Sequence, residues 1–174
     1  MSDESKYWYA ARTRANQELG LRSSLSGLDI TNYLPTRIVT RKVSDRVKRV
    51  EVPLIKNLIF VKTTKQNAFA LVKDYALKLS FIKSLEDGSL LIVPEKQMLD
   101  FIYLMEHQED MQLHYGEHFA PGDRVNIFKG ELAGIEGELI RVEGKSHVLL
   151  RIPQIVAVSV RVPKNCLQKI KDVK

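Results

Sequence analysis

Three histidines stand close together in the sequence, His107, His114 and His118, with Glu109, Asp110 and Glu117 among them. Separations of seven and four residues suit a metal ion, since imidazole nitrogen and carboxylate oxygen are common ligands. The segment is polar, however, holds no cysteine, and offers nothing to orient the ligands, so a metal is not expected there. The single cysteine, Cys166, has no histidine near it in sequence to serve as its base. No carboxylate pair stands in a recognisable catalytic setting. These residues point away from an enzyme, and neither cofactor nor metal is expected.

Two other concentrations of chemistry stand out. Between residues 37 and 49, Arg37, Arg41, Lys42, Arg46, Lys48 and Arg49 face one acid, Asp45. Such a set can hold phosphates, which positions a nucleic acid without reading its sequence. The competing reading is an edge hairpin kept from aggregating by its charge. Arg12 and Arg14 extend the same candidate surface. The second concentration is FAPGDRVNIFKGELAGIEGELIRV, residues 119 to 142, which holds four of the nine glycines. A phosphate-cradling loop, a nucleic-acid clamp and the corners of a small barrel all use glycine in this way.

The totals narrow the choice. Net charge is +6, and residues 1–105 carry 17 Lys and Arg against 11 Asp and Glu, while residues 106–174 carry 10 of each. The asymmetry points to the first part as the one to meet a polyanion, although a charge of this size taken alone reads as an ordinary soluble surface. A hydrophobic content of 44% is that of a globular protein. The longest apolar runs, such as LIF and VLL, are too short to cross a bilayer, and MSDESKYW lacks the apolar stretch of a secretion signal. One cysteine fits a reducing compartment, so a cytoplasmic protein without membrane contact is expected.

The elements that must position these residues follow from pattern. YWYAART (7–13) reads as a strand. Asn16 is placed to cap a helix running through about Leu25, which Gly27 stops. ITNYLPTRIV is strand-like but broken at Pro35. RKVSDRVKRVEV alternates about Ser44-Asp45 and predicts a two-stranded protrusion with that turn at its tip. PLIKNLIFVKTT contains the apolar run of a central strand, and residues 65–74 have helical spacing. LKLSFIKS and SLLIV form strands around Glu86-Asp87-Gly88, and Pro94 opens a helix with Met98, Phe101, Ile102 and Met105 on one face. Residues 1–105 thus read as an α+β sandwich, 106–118 as a polar linker, and 119–174 as a small all-β barrel. No helix follows the glycines, which disfavours a phosphate loop. They are read as structural: Gly122 opening the barrel, Gly130, Gly134 and Gly137 turning the chain, Gly144 closing a hairpin.

GDRVNIFKGELAGIEGELIRV resembles the KOW motif that begins an SH3-like barrel, through Gly122, Val125, Ile127, Gly130, Gly134 and Gly137. KYWYAARTR resembles the opening strand of the NusG N-terminal (NGN) domain. YLPTRIV is similar to that family's second-strand proline segment, and VPLIKNLIFVK to its Pro-Leu-Phe-Pro-Gly-Tyr strand. SDRVKRVEVPL is similar to the UpxY-type paralogues that act on capsular polysaccharide operons. The sequence is therefore identified as resembling the NusG family over nearly its whole length, with an NGN α/β sandwich followed by a KOW barrel. It departs where Ile55-Lys56-Asn57-Leu58 replaces Phe-Pro-Gly-Tyr, so that two aromatics become aliphatic and the Pro-Gly turn is lost.

The resemblance implies a transcription elongation and antitermination factor, monomeric and not an enzyme. Its N-terminal domain would bind the clamp helices of the largest RNA polymerase subunit through exposed apolar side chains. By position these are Trp8, Leu34, Pro35, Ile55, Leu58 and Phe60. The basic protrusion would touch upstream or non-template DNA. The KOW barrel, neutral overall, would recruit Rho or a small-subunit ribosomal protein, with IPQIVAVSV from Ile152 as its docking edge. The alternative class is a ribosome- or RNA-associated KOW protein that does not act on polymerase.

Overall fold

Strand-forming segments are assembled into three antiparallel sheets in the computed structural model, which describes residues 4–115 and 121–171. The chain divides into two units, residues 1–94 and 95–174.

In the first unit, β1 (Tyr7–Thr13) lies beside β5 (Leu58–Thr63), and β2 (Thr31–Tyr33) and β6 (Leu79–Phe81) flank them in the order β2-β5-β1-β6. A short β7 (Ile92–Val93) also pairs with β1. Ala11 opposes Ile59 and Tyr9 opposes Val61, so these four share one face of the sheet. Helices α1 (Glu18–Gly27) and α2 (Lys65–Lys73) close over that face. Ala11, Ile59 and Val61 form one core with Leu21, Leu25, Leu34, Leu71 and Leu79. Tyr9 meets Phe81 edge to face at 5.9 Å. The ends of α1 differ from expectation. Gln17, not Asn16, is the N-cap and makes no side-chain cap bond; Asn16 takes the left-handed conformation, and Gly27 is the last helical residue.

β3 (Thr36–Val43) and β4 (Arg46–Pro53) form a two-stranded sheet of their own, turned at Ser44-Asp45 as the alternation predicts. Leu34-Pro35 separates β2 from β3, where proline could not have continued a ladder.

The second unit begins with α3 (Glu95–His107), whereas the sequence pattern places this helix in the first domain, 1–105. Lys96 Nζ donates to the Gly134 carbonyl at 2.8 Å and Tyr103 Oη to that of Glu131 at 3.0 Å. The Glu136 amide donates to Asp100 at 3.3 Å, and Gln97 Nε2 donates to the Arg151 carbonyl. The strands are β8 (Gln112–His114), β9 (Arg124–Ile127), β10 (Glu136–Val142), β11 (Lys145–Ile152), β12 (Val156–Arg161) and β13 (Leu167–Lys169). Their order is β13-β9-β10-β11-β12-β8. β8 falls in the expected linker, so residues 112–114 belong to the all-β sheet; residues 116–118 of that linker, and Phe119, lie outside the described residues.

Candidate functional site

The β3–β4 arm carries all six cations expected between residues 37 and 49. Directly opposed residues of an antiparallel ladder share a face, and neighbours along a strand alternate. The pairs Arg37–Val52, Val39–Val50, Arg41–Lys48 and Val43–Arg46 therefore line one face; Thr36–Pro53, Ile38–Glu51, Thr40–Arg49 and Lys42–Val47 line the other. All six cations are exposed.

The root of the arm is fixed by Glu51. Its carboxylate accepts from both terminal nitrogens of Arg22 on α1, at 2.6 and 2.8 Å, and from the Thr36 hydroxyl at 2.7 Å. The Arg22 hydrogen bonds, then that of Thr36, hold the Glu51 carboxyl down at about 2. A bidentate guanidinium–carboxylate pair fixes orientation as well as distance. No local pattern signals this pair, because 29 positions separate the partners.

Arg12 and Arg14 do not lie on the arm. They line a cleft of about 380 Å³ with Thr13, Leu77, Lys78, Leu79 and Ser80, where Thr13 Oγ1 donates to the Lys78 carbonyl at 2.7 Å. Lys78 joins them because β6 pairs with the end of β1, a long-range contact that local pattern does not reveal.

The six apolar residues expected to meet a polymerase are all buried. Trp8, Leu58 and Phe60, at 5%, 1% and 0% exposure, share the sheet face opposite α1 and α2, as the Trp8–Lys62, Ala10–Phe60 and Arg12–Leu58 pairs require. Leu34 sits in the core beneath the helices, and Pro35 and Ile55 are buried beside it in sequence and at the β4–β5 turn respectively. The structure thus brings three of the six together but leaves none with area to bury on a partner. As an exposed docking patch, this set is corrected.

The lost Pro-Gly turn is also corrected. Asn57 adopts φ 60°, the left-handed conformation that asparagine tolerates. Its amide donates to the buried carboxylate of Glu18 at 3.0 Å, and its carbonyl accepts from the Thr13 amide at 3.1 Å. The turn survives without its usual residues.

In the all-β unit Val125 and Ile127 are buried on β9. Gly134 has φ 97°, as a turn glycine does, with Gly122 and Gly130 in the segments before it. Gly137 is not at a turn: it lies within β10, where a Cβ would come 2.6 Å from the Leu149 carbonyl oxygen. Close backbone approach, not a bend, excludes a side chain there. The expected docking edge at IPQIVAVSV is corrected too. β12 is paired on both sides, by β11 and β8, and Val156 to Val160 are buried. The histidines separate: His107 stacks on Tyr103, His114 is buried on β8 with Nε2 2.8 Å from Ser159 Oγ, and His118 lies outside the described residues. Cys166 is half-buried in a single 3₁₀ turn.

Residues 6–102 match the family described as "Transcription termination factor nusG", from before β1 to within α3. A chain of the solved MjSpt4:Spt5 complex, conformation B, is similar across 96% of this chain and 99% of that one, at 16% identity and a TM-score of 0.29. A likeness at that level carries no argument about the site. No curated protein matches. The family match spans more than half of the sequence, with the α+β and all-β architecture just described, and the chain belongs to the NusG family of transcription factors.

Proposed function

We infer that this protein is a transcription elongation factor that travels with RNA polymerase and steadies nucleic acid beside it with the β3–β4 arm. Factors of the family bind RNA polymerase and are not enzymes. The observation that carries the nucleic-acid part is the arm itself: six exposed cations on two strands, with Asp45 in the turn at the tip and the one carboxylate on the strands, Glu51, already engaged by Arg22 and Thr36. Phosphate contact of this kind positions a strand without selecting a sequence. The Arg12, Arg14 and Lys78 cleft is a second, separate cationic site in the same unit.

The finer reading is a specialised paralogue. Its N-terminal unit takes the polymerase clamp helices as partner, its all-β unit recruits Rho or a small-subunit ribosomal protein, and its target is a polysaccharide operon read by antitermination. The resemblance of SDRVKRVEVPL to UpxY-type sequences supports this. The family match over residues 6–102 speaks against a ribosome-associated KOW protein, which would not need that domain.

The test is transcription by purified bacterial RNA polymerase on a template with a defined pause and terminator. The full chain should copurify with the elongation complex and change pause duration, and Arg41→Thr with Lys48→Thr should reduce that change. A chain that neither copurifies with polymerase nor alters pausing would overturn the reading.

A further inference from the structure

The two faces of the arm are not equivalent. Among the paired residues, Arg37, Arg41, Arg46 and Lys48 lie on one face with valines and no acid, and Asp45 stands in the turn beyond the last pair. The other face has Lys42 and Arg49, together with Glu51. Arg41 stands directly opposite Lys48, and like charges in that relation weaken a ladder. The weakening falls on a hairpin of only two strands, which is marginal by itself. Solubility needs only scattered charge of either sign, so it does not account for directly opposed cations on a face whose paired residues include no acid. A bound polyanion relieves that repulsion.

The shape of the face selects the polyanion. From Arg37 to Val43 the strand advances about 20 Å, at roughly 3.3 Å per residue. The cations therefore form a narrow ladder two strands wide. Such a ladder fits the linear charge of a duplex, about one per 1.7 Å of axis, better than the broad plane of an anionic bilayer. The root sets its direction. Glu51 is on the opposite face and is bound to Arg22 of α1, so the Glu51 face turns toward α1 and the cationic face turns away.

We propose that the arm holds the backbone of double-stranded nucleic acid with one face only, through Arg37, Arg41, Arg46 and Lys48, and that Arg22 and Glu51 are positioning residues that keep this face outward. The proposal rests on the reading of the arm as a nucleic-acid contact.

The test is binding of a short DNA duplex of arbitrary sequence to the full chain across a salt series. Two charge-matched double variants separate the faces: Arg41→Thr with Lys48→Thr, and Lys42→Thr with Arg49→Thr. The first should weaken binding about tenfold or more at low salt and flatten the log–log salt dependence by about 1.8, as loss of two phosphate contacts requires. The second should cost clearly less on both measures, since it removes charge near the strand but no direct phosphate contact. Equal losses from the two variants would overturn the one-face inference and leave the nucleic-acid reading standing. Failure of the unaltered chain to bind the duplex at any salt would end both, including where it binds phosphatidylserine vesicles instead. Glu51→Arg separates positioning from charge: it makes the chain more cationic yet should weaken binding, and adding Arg22→Glu should restore it. Tighter binding by Glu51→Arg alone would overturn the positioning role. Arg41→Glu guards against loss of fold. It places an acid opposite Lys48, so it should raise the melting temperature while lowering affinity, and unchanged affinity would overturn the proposal.

Discussion

The β1–β5 pair and the β3–β4 pair are both antiparallel and lie in the same unit, yet they answer water in opposite ways. β5, LIFVKT, is buried on both faces, with Leu58, Ile59, Phe60 and Val61 each at 1% exposure or less. β3 and β4 have no third strand among the described residues and hold their cations in solvent. The first pair derives its stability from removing aliphatic and aromatic surface from water, several kcal/mol across a few side chains at about 25 cal/mol per Å². The second has little to bury and carries opposed like charges. Side chains that can contact a partner are thus on the strand pair that contributes least to the core.

The largest effect that would break this contrast is at the sealed pair. Leu58→Glu places a carboxylate where 1% of the residue is exposed, with only the solvent-exposed Arg12 opposite it across the strands, which should cost about 3 kcal/mol. Against a total stability of about 5–15 kcal/mol, that loss should lower the melting temperature of the first unit sharply, as read by circular dichroism. Ile55→Glu should behave similarly, whereas Arg41→Thr should melt at or above the unaltered chain. A Leu58→Glu variant that melts normally would mean that the side chain is a surface residue and that the contrast is misdrawn.

A smaller loss is expected where another strand admits no added atom. Gly137→Ala would bring a methyl group 2.6 Å from the Leu149 carbonyl oxygen and 2.7 Å from the Val148 side chain. The carbonyl belongs to the paired strand and cannot move aside without disturbing the ladder, so destabilisation of about 2 kcal/mol or more is expected for the all-β unit. Gly20→Ala meets nothing within 4 Å and sits inside α1, so it should stabilise by about 0.5 kcal/mol or more. Denaturant midpoints of the two variants distinguish close approach from mere chain flexibility.

Acid sharpens the comparison further, because the arm root and the all-β unit titrate in different windows. Glu51 is held at about 2 in the folded chain, below its ordinary 4.5, chiefly by Arg22. Its contribution is therefore full above about pH 4.5 and lost as pH falls from there toward 2. His147 is a buried base whose pKa is lowered by burial first, then by Arg161, His114 and Lys145, against an opposing pull from Glu143. Its neutral form is the one the fold accepts, so that contribution is present above about pH 6.5 and declines below it. Melting curves should show His147→Gln flattening stability between pH 7 and 5, and Glu51→Gln flattening it only below about pH 4.5. The Glu51 effect should be about 1 kcal/mol or less, because roughly a third of each partner is exposed to solvent. Loss of the Glu51-dependent step in Arg22→Gln would confirm which partner produces it.

The sequence was most readable where physics is local. Alternation about Ser44-Asp45 placed the arm, the apolar run from Leu58 placed the central strand, and Pro94 marked the start of α3. It was least readable where a distant partner decides. β8 is only Gln112–His114 in a polar stretch, and its pairing with β12 and the His114–Ser159 contact come from residues more than forty positions away. The continuous apolar run from Leu58 already marks a strand covered on both faces; only the family resemblance puts Trp8, Leu58 and Phe60 at the surface, and they are buried. The arm's orientation likewise depends on Arg22, whose pairing with Glu51 crosses from α1 to β4.

The smallest effect concerns the turn that leads into the sealed strand. Asn57 holds φ 60° with its amide on the Glu18 carboxylate and its carbonyl on the Thr13 amide, both backbone contacts that glycine would keep. Asn57→Gly should therefore change stability by no more than about 0.5 kcal/mol, since relief of the left-handed conformation offsets the greater freedom of the unfolded chain. Asn57→Val keeps the same backbone groups but adds a β-branched side chain at positive φ, which should cost about 1–2 kcal/mol. Measured by urea unfolding of the full chain, a wide gap between the two variants shows that conformation, not the asparagine side chain, secures the entry to β5. Equal losses would show instead that the side chain itself is needed, and that this loop is held by more than its backbone.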